Sequence, residues 1–339
     1  MQAFSAFDSV KGMLGVLREV SLEDIREQAE TPPRILVVGP TAEAARRLGL
    51  ALTGAEGQFS STYRAANESL DGLGRLDAAV VWDPERSGAS SRVSTAVQYD
   101  SPPVPVVRFE GASPDDERAI EQLRLDILRW NGDRITGFGR ALPMFRHAAA
   151  KQVIDETAMA NAQFSIVSNL PALIPIIGGL AAAGADFIVL TKNQVIMLYK
   201  LAAIYGRNLN DQRSILQEVL PVVGAGLVWR TLAREGAAIL PFAAGAVPKL
   251  AIAYAGTLAV GRAADYYYRT GLKPTRMQLD QFATMAVDRM RALNLPEMLN
   301  RFRKDSDQES GAVPSAPHVT VIESESRPEE KKRWRVGPG

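Results

Sequence analysis

The chain has no cysteine, which removes disulfides, thiolate metal sites and cysteine nucleophiles and excludes a small secreted fold stapled by bridges. Its only histidines are His147 and His318, so a catalytic triad or a histidine metal site would have to be built on one of them. Net charge is nearly absent too, since 39 Lys and Arg against 38 Asp and Glu leave +1. At that balance whole-molecule electrostatics neither concentrate nucleic acid nor repel it, and a nucleic-acid role finds no support. The first residues, Met1-Gln-Ala-Phe-Ser-Ala-Phe-Asp-Ser-Val-Lys11, lack the basic leader and unbroken apolar core of a secretory signal. The expected compartment is the cytosol or the cytoplasmic face of a membrane.

What is present changes character along the chain. At 339 residues there is room for two domains with appendages, at ~150 residues each. Residues 1–30 read as a helical arm. Phe4, Phe7, Val10, Met13, Leu14 and Leu17 recur at helical spacing, and Ser21-Leu-Glu-Asp24 resembles a capping box that restarts the helix. Its polar face offers only Lys11 and Arg18, few cations for lying on a membrane, so packing against another domain is expected. After the break at Thr31-Pro-Pro-Arg34, the pattern predicts strands at Ile35 to Val38, Phe59 to Tyr63, Ala78 to Trp82 and Val104 to Phe109. Helices are expected at Ala42 to Leu52, Ala65 to Leu73, Arg92 to Gln98 and Asp115 to Trp130. Parallel neighbours need crossover connections, so this alternation predicts a small parallel α/β three-layer domain over residues 31–135.

Arg134 to Gln152, with Gly137, Gly139 and Pro143, reads as a connector. Beyond it, helices are expected at Val153 to Val167, Ala172 to Tyr205, Gln212 to Trp229, Gly236 to Tyr268 and Arg276 to Phe302. Residues 136–304 are thus an apolar helical domain, with Pro171, Pro175, Pro221, Pro241 and Pro248 starting or kinking helices. The tail, residues 305–339, is polar, proline-rich and charged. It cannot bury enough apolar surface to offset its ordering entropy and is expected to be disordered. Its Lys331-Lys-Arg-Trp-Arg335 run could touch anionic lipid, but Glu329 and Glu330 beside it favour a solvated terminus.

The first predicted strand leads into Val37-Val-Gly39-Pro-Thr41, where a phosphate-binding loop would sit. Such a loop needs a second glycine, a lysine for the outer phosphates and a Ser or Thr for magnesium. Those positions hold Ala44, Ala45 and Arg46. Guanine recognition by an Asn-Lys-x-Asp element is missing as well, since Val104 to Val107 runs into Arg108-Phe-Glu-Gly111. What remains is a helix start after Gly39, which favours an anion through its free amides, and Asp83 near the end of the third strand, placed as a magnesium ligand or a turn residue. The other carboxylates are spread singly or along polar faces. No catalytic, cofactor-binding or metal-ligating residue is assigned.

The apolar stretches decide the rest. Leu170 to Leu190 is long enough for a span of ~20 residues and carries one charge, Asp186, near its end. Gly236 to Gly261 is also long enough but holds Lys249 at its middle, where an ionised side chain costs about 2.5–3.5 kcal/mol. Val219 to Trp229 is too short to cross and suits a buried or re-entrant helix. Two spans would strand Lys192, Lys200, Arg207, Arg213, Arg230 and Arg234 between them, against the positive-inside rule unless both chain ends lie outside. Toward lipid point Gly178-Gly179, Ala181 to Ala185, Gly224-Ala-Gly226 and Gly256, small residues that let membrane helices approach closely, and the terminal aromatics Trp229 and Tyr266-Tyr-Tyr268. Each feature also fits tight packing in a soluble bundle.

The phrase Thr191 to Gly206, framed by Gln194, Met197, Ala202, Tyr205 and Gly206, resembles the bacterial family called domain of unknown function 697. So do Pro175-Ile-Ile-Gly178 and Ala253-Tyr-Ala-Gly-Thr257-Leu-Ala-Val-Gly261 with Tyr266 and Tyr267, covering about residues 150–300. Members of that family are helical and apolar, often follow a GTPase domain and include inner-membrane proteins. The resemblance implies a degenerate, non-hydrolysing GTPase-like domain followed by a membrane-associated one, with no catalytic residues to carry over. The expected function is a non-enzymatic, membrane-associated scaffold or regulatory protein at the cytoplasmic membrane, α/β domain and tail in the cytoplasm, with lipid as partner and a protein partner or self-association as a further possibility. The alternatives are a nucleotide-dependent switch using Gly39, Thr41 and Asp83, and a soluble helical interaction protein.

Overall fold

The structure, a computed structural model, describes residues 22–55, 57, 60–97, 104–167, 179–211, 214, 215, 217–219 and 246–293. Most of the expected arm, the stretches 168–178 and 220–245 and the tail lie outside them. Four strands, β1 Ile35–Gly39, β2 Ser61–Ala65, β3 Ala78–Val81 and β4 Val106–Arg108, form one parallel sheet in the order β2-β1-β3-β4. The helices are α1 Glu23–Glu30, α2 Ala42–Thr53, α3 Ala89–Val97, α4 Glu117–Trp130, α5 Ile135–Ala141, α6 Arg146–Val167, α7 Gly179–Ile204, α8 Ala246–Thr270 and α9 Arg276–Arg291.

β1 takes an interior place because Ile-Leu-Val-Val-Gly has no polar side chain to hydrate, and all five residues are buried. Side chains alternate across the sheet. Ile35, Val37, Ala78 and Val80 enter the main core, while Leu36, Val38, Ala79 and Val81 enter a smaller one. α3 closes the smaller face with Ala89, Val93 and Val97, one stripe at four-residue spacing. α2 and α4 close the main face, and Arg124 of α4 donates to the carbonyls of Ala51 and Leu52 at 2.7 and 3.0 Å, finishing the C-terminal end of α2. The chain is therefore the expected three-layer α/β arrangement joined to a helical part.

Three expectations fail locally. α1 starts at Glu23 with Leu22 at its N-cap and no side-chain capping bond, in place of the capping box expected over Ser21 to Asp24. The helix expected at Ala65 to Leu73 is a loop: Gly72 and Gly74 sit at φ 71° and 66°, the Ser69 hydroxyl bonds the Asp71 carboxylate at 2.7 Å, and β2 runs two residues past its expected end. The connector is not a connector. It holds α5, a 3₁₀ turn at Pro143–Phe145 and the first turns of α6, and Phe138 and Phe145 are fully buried. Its glycines mark close approaches: a Cβ on Gly137 would come within 2.7 Å of the Gln28 carbonyl of α1, and one on Gly139 within 2.9 Å of Ile204 of α7. One core consequently runs without interruption from Ile35 and Val37 through Phe138 and Phe145 to Leu198 and Ala259.

At the amino end of the sheet Asp77 and Arg134 form an ion pair at 3.1 Å. Asp77 also accepts the Arg34 amide at 2.8 Å, and Arg134 donates to the Gln28 and Thr31 carbonyls at 3.2 and 2.9 Å. This clamp ties α1, β1, β3 and the entry to α5 together. The outer edge of β2 is blunted by side chains, because Glu68 of the following loop accepts the Ala65 amide at 3.0 Å and Arg64 donates to the Tyr63 carbonyl at 3.0 Å.

In the helical part, Ile154 of α6 meets Gly261 of α8, where a Cβ would lie 2.7 Å from the Ile154 side chain. Asn161 pairs with Thr257, and Tyr205 of α7 with Asp265 of α8. α6 therefore runs antiparallel to α8, and α7 parallel to it. α9 folds back on α8 and is pinned to α6 by Arg289, whose guanidinium makes two 3.0 Å bonds to Asp155.

Candidate functional site

The residues named by the switch alternative converge at the carboxyl ends of β1 and β3, neighbours in the sheet. This is where chain direction divides: β1 leads to α2 on the main face, β3 to α3 on the other. Ligands of open α/β sheets bind at such a crest, yet the polar groups here are already engaged. Thr41 caps α2, its hydroxyl accepting the Ala44 amide at 3.1 Å. A Cβ on Gly39 would fall 2.7 Å from the Ala45 nitrogen, so this glycine lets the helix start against the strand with no cradle between them. Asp83 accepts the amides of Ser87, Gly88 and Ala89 at 2.8, 3.1 and 3.1 Å and thereby caps α3. Arg108 bonds the Ser90 hydroxyl at 3.0 Å.

Burial alone would raise the Asp83 carboxyl, but the bonds from Ser87, Ala89 and Gly88 outweigh it and hold the group below its ordinary value. A depressed value means the stabilisation is present above the unfolded carboxyl value of about 3.9 and is lost as pH falls through the folded one. Asp83→Ala is expected to cost about 1 kcal/mol near neutrality. In urea titrations the gap from the parent should narrow as pH drops below about 4; a gap independent of pH would show that the ionised carboxylate is not the cap.

A second constellation lies inside the helical part. Asn161 and Thr257 are buried at 0% and 1% exposure. Asn161 Nδ2 donates to Thr257 Oγ1 at 2.8 Å, Asn193 Nδ2 donates to Asn161 Oδ1 at 2.8 Å, and Gln194 Nε2 reaches Thr257 Oγ1 at a long 3.5 Å. Ser165 closes the set by donating to the Asn161 carbonyl at 2.9 Å. Amides and hydroxyls from α6, α7 and α8 thus form a neutral seam that fixes helix register. It contains no nucleophile with an adjacent base.

Toward the other end of α8, Tyr205 donates to Asp265 at 2.6 Å; burial first, and then the Asp265 charge, raise its hydroxyl above the ordinary tyrosine value. Tyr199 donates to the Leu209 carbonyl at 2.8 Å, and burial pushes its hydroxyl up to about 12. Tyr267 bonds Glu218, which also pairs with Arg207 at 2.7 Å, and Arg207 lies over the Tyr268 ring.

The framework of the Thr191 to Gly206 phrase acquires physical roles from these contacts. Gln194 and Tyr205 face polar partners on α8, Met197 and Ala202 are fully buried, and Gly206 ends α7 at φ 75°. His147 is exposed in the first turn of α6, and His318 lies outside the described residues. Among the described residues no group of three or more His, Asp or Glu is placed to hold a metal ion, and no helix is long and apolar enough to cross a membrane. The seam residue Asn161 escaped the sequence reading, although a polar side chain between Ala158 and Ala162 on a buried stripe was a usable signal. No family description, curated protein or solved structure matches the chain.

Proposed function

We propose that the chain is a non-catalytic, membrane-associated scaffold or regulatory protein of the bacterial cytoplasmic face. One end of its helical part contacts the bilayer, and the α/β layers serve as a docking module. Helix direction carries this reading. With α7 parallel to α8 and α6 antiparallel, the starts of α7 and α8 and the end of α6 gather at one end, away from the sheet. Past the Asn161–Thr257 seam, where Lys192 stands, α7 and α8 continue for about 18 and 16 Å through residues 179–190 and 246–256, whose only charges are Asp186 and Lys249. Half of a hydrocarbon core is about 15 Å, so this end suits insertion into one leaflet without crossing. Asp186 and Lys249 each stand eight residues before the Gln194–Thr257 contact, at one level of two parallel neighbours.

Flotation of the full-length protein with vesicles of phosphatidylethanolamine and phosphatidylglycerol tests the reading. Co-flotation is expected; a protein that stays soluble and monomeric without detergent overturns it. The switch alternative needs Thr41 and Asp83 to leave their helix caps for a ligand. Thermal unfolding with millimolar GTP, GDP or ATP and magnesium is expected to show no shift, and a clear shift would favour the switch instead.

A further inference from the structure

The turn between α8 and α9 lies at the opposite end of the bundle, about 37 Å from the start of α8. The segment from Arg269 through Gln278 contains Arg269, Lys273 and Arg276 and no carboxylate, and all three cations are exposed. Two large apolar side chains stand bare among them, Leu272 at 64% and Met277 at 69% exposure. The turn is held in shape. Thr270 Oγ1 accepts the Leu272 amide at 3.1 Å, Gly271 takes φ 72°, and Thr275 and Gln278 form a reciprocal capping box at the start of α9. The nearest following carboxylate, Asp280, is one turn into α9. An ordered tip that combines cations with uncovered apolar surface fits an acidic segment carrying its own apolar residues.

We propose that this tip is the docking surface for the chain's own tail, with Val319-Thr-Val-Ile322 covering Leu272 and Met277 and the following Glu323 and Glu325 meeting Lys273 and Arg276. The complementarity is specific in sign: residues 305–330 carry seven carboxylates and a single arginine, Arg327, and Val319 to Ile322 is a β-branched run, apolar but for Thr320, set among them. Reach matches as well. α9 is about 24 Å long, 25 residues, 294–318, separate the last described residue from Val319, and a flexible linker of that length would reach roughly 25–30 Å. A linker whose mean length equals the gap maximises effective concentration, so individually weak contacts suffice. The proposal does not rest on membrane binding, because the tip faces away from the apolar end.

Zero-length carbodiimide cross-linking of the full-length protein at micromolar concentration, read by mass spectrometry, tests it. The expected product joins Lys273 to Glu323 or Glu325 within one chain, and its yield falls at least tenfold when Val319, Val321 and Ile322 are all replaced by Ser. Three results overturn the proposal: no Lys273 link to this segment while other lysines react, a yield indifferent to the serine variant, or links that form only between isotopically distinct copies. A Leu272→Glu, Met277→Glu variant separates the remaining occupant. If it loses vesicle flotation that the parent shows, the tip is a lipid surface and the tail assignment is overturned; if flotation persists while the cross-link is lost, the tail assignment stands.

Discussion

Asp77→Ala is expected to lower the unfolding free energy by about 3–5 kcal/mol, a large share of the 5–15 kcal/mol that holds a typical domain folded. The carboxylate is 5% exposed and accepts from both Arg134 and the Arg34 amide. Removing it leaves a guanidinium, itself 14% exposed, without its counter-charge among the carbonyls of Gln28 and Thr31. Arg75, the second cation on this carboxylate at 3.7 Å, is well exposed, so the loss of its own pairing adds little. Urea unfolding followed by circular dichroism measures the effect. The double variant Asp77→Asn, Arg134→Met should be less damaging than Asp77→Ala, since no buried charge is then left alone. If Asp77→Ala costs under about 1 kcal/mol, the clamp does not hold α1 and α5 to the sheet.

Asn161→Leu should cost about 2–4 kcal/mol, because the buried Thr257 hydroxyl and the half-buried Asn193 amide would each lose a partner. Adding Thr257→Val and Asn193→Leu removes those orphaned groups, so the triple variant should regain part of the stability. A neutral seam thus predicts non-additivity of a stated sign. Additive losses across the three sites would mean that they pack independently. The seam also bounds the apolar end, so the triple variant is expected to lose a unique helix register and show weaker near-ultraviolet dichroism at unchanged helix content.

The parts of this architecture that follow from neighbouring residues could be read directly. β1 and α2 are announced by the apolar run Ile35 to Val38 and the helix start after Gly39, and α4 by the helical stretch Asp115 to Trp130; the caps at Thr41 and Asp116, whose carboxylate accepts the Arg118 and Ala119 amides at 3.1 Å, are seen only in the structure. What depended on distant partners could not be read. Arg134 looks like any surface arginine until Asp77, 57 positions earlier, is placed beside it. Gly137 and Gly139 follow the compositional rule for a linker, yet each serves a helix crossing that only the assembled chain contains. The loop at residues 66–76 differs for the reverse reason: its polar residues are compatible with a helix, but Gly72 and Gly74 at positive φ settle the local conformation.

α4 is covered on two sides, by the sheet within and by the helical part without, as the bond from Gln152 to the Leu128 carbonyl at 3.3 Å records. This has a consequence during synthesis. When Trp130 has left the ribosome the sheet and its inner helices can assemble, but their outward apolar surface has no cover. The ~40 residues that supply α5 and α6 take roughly 2–8 s to be made at 5–20 residues per second. For that interval the nascent chain presents a sticky half-built layer, and a chaperone that binds extended apolar surface would find its target there.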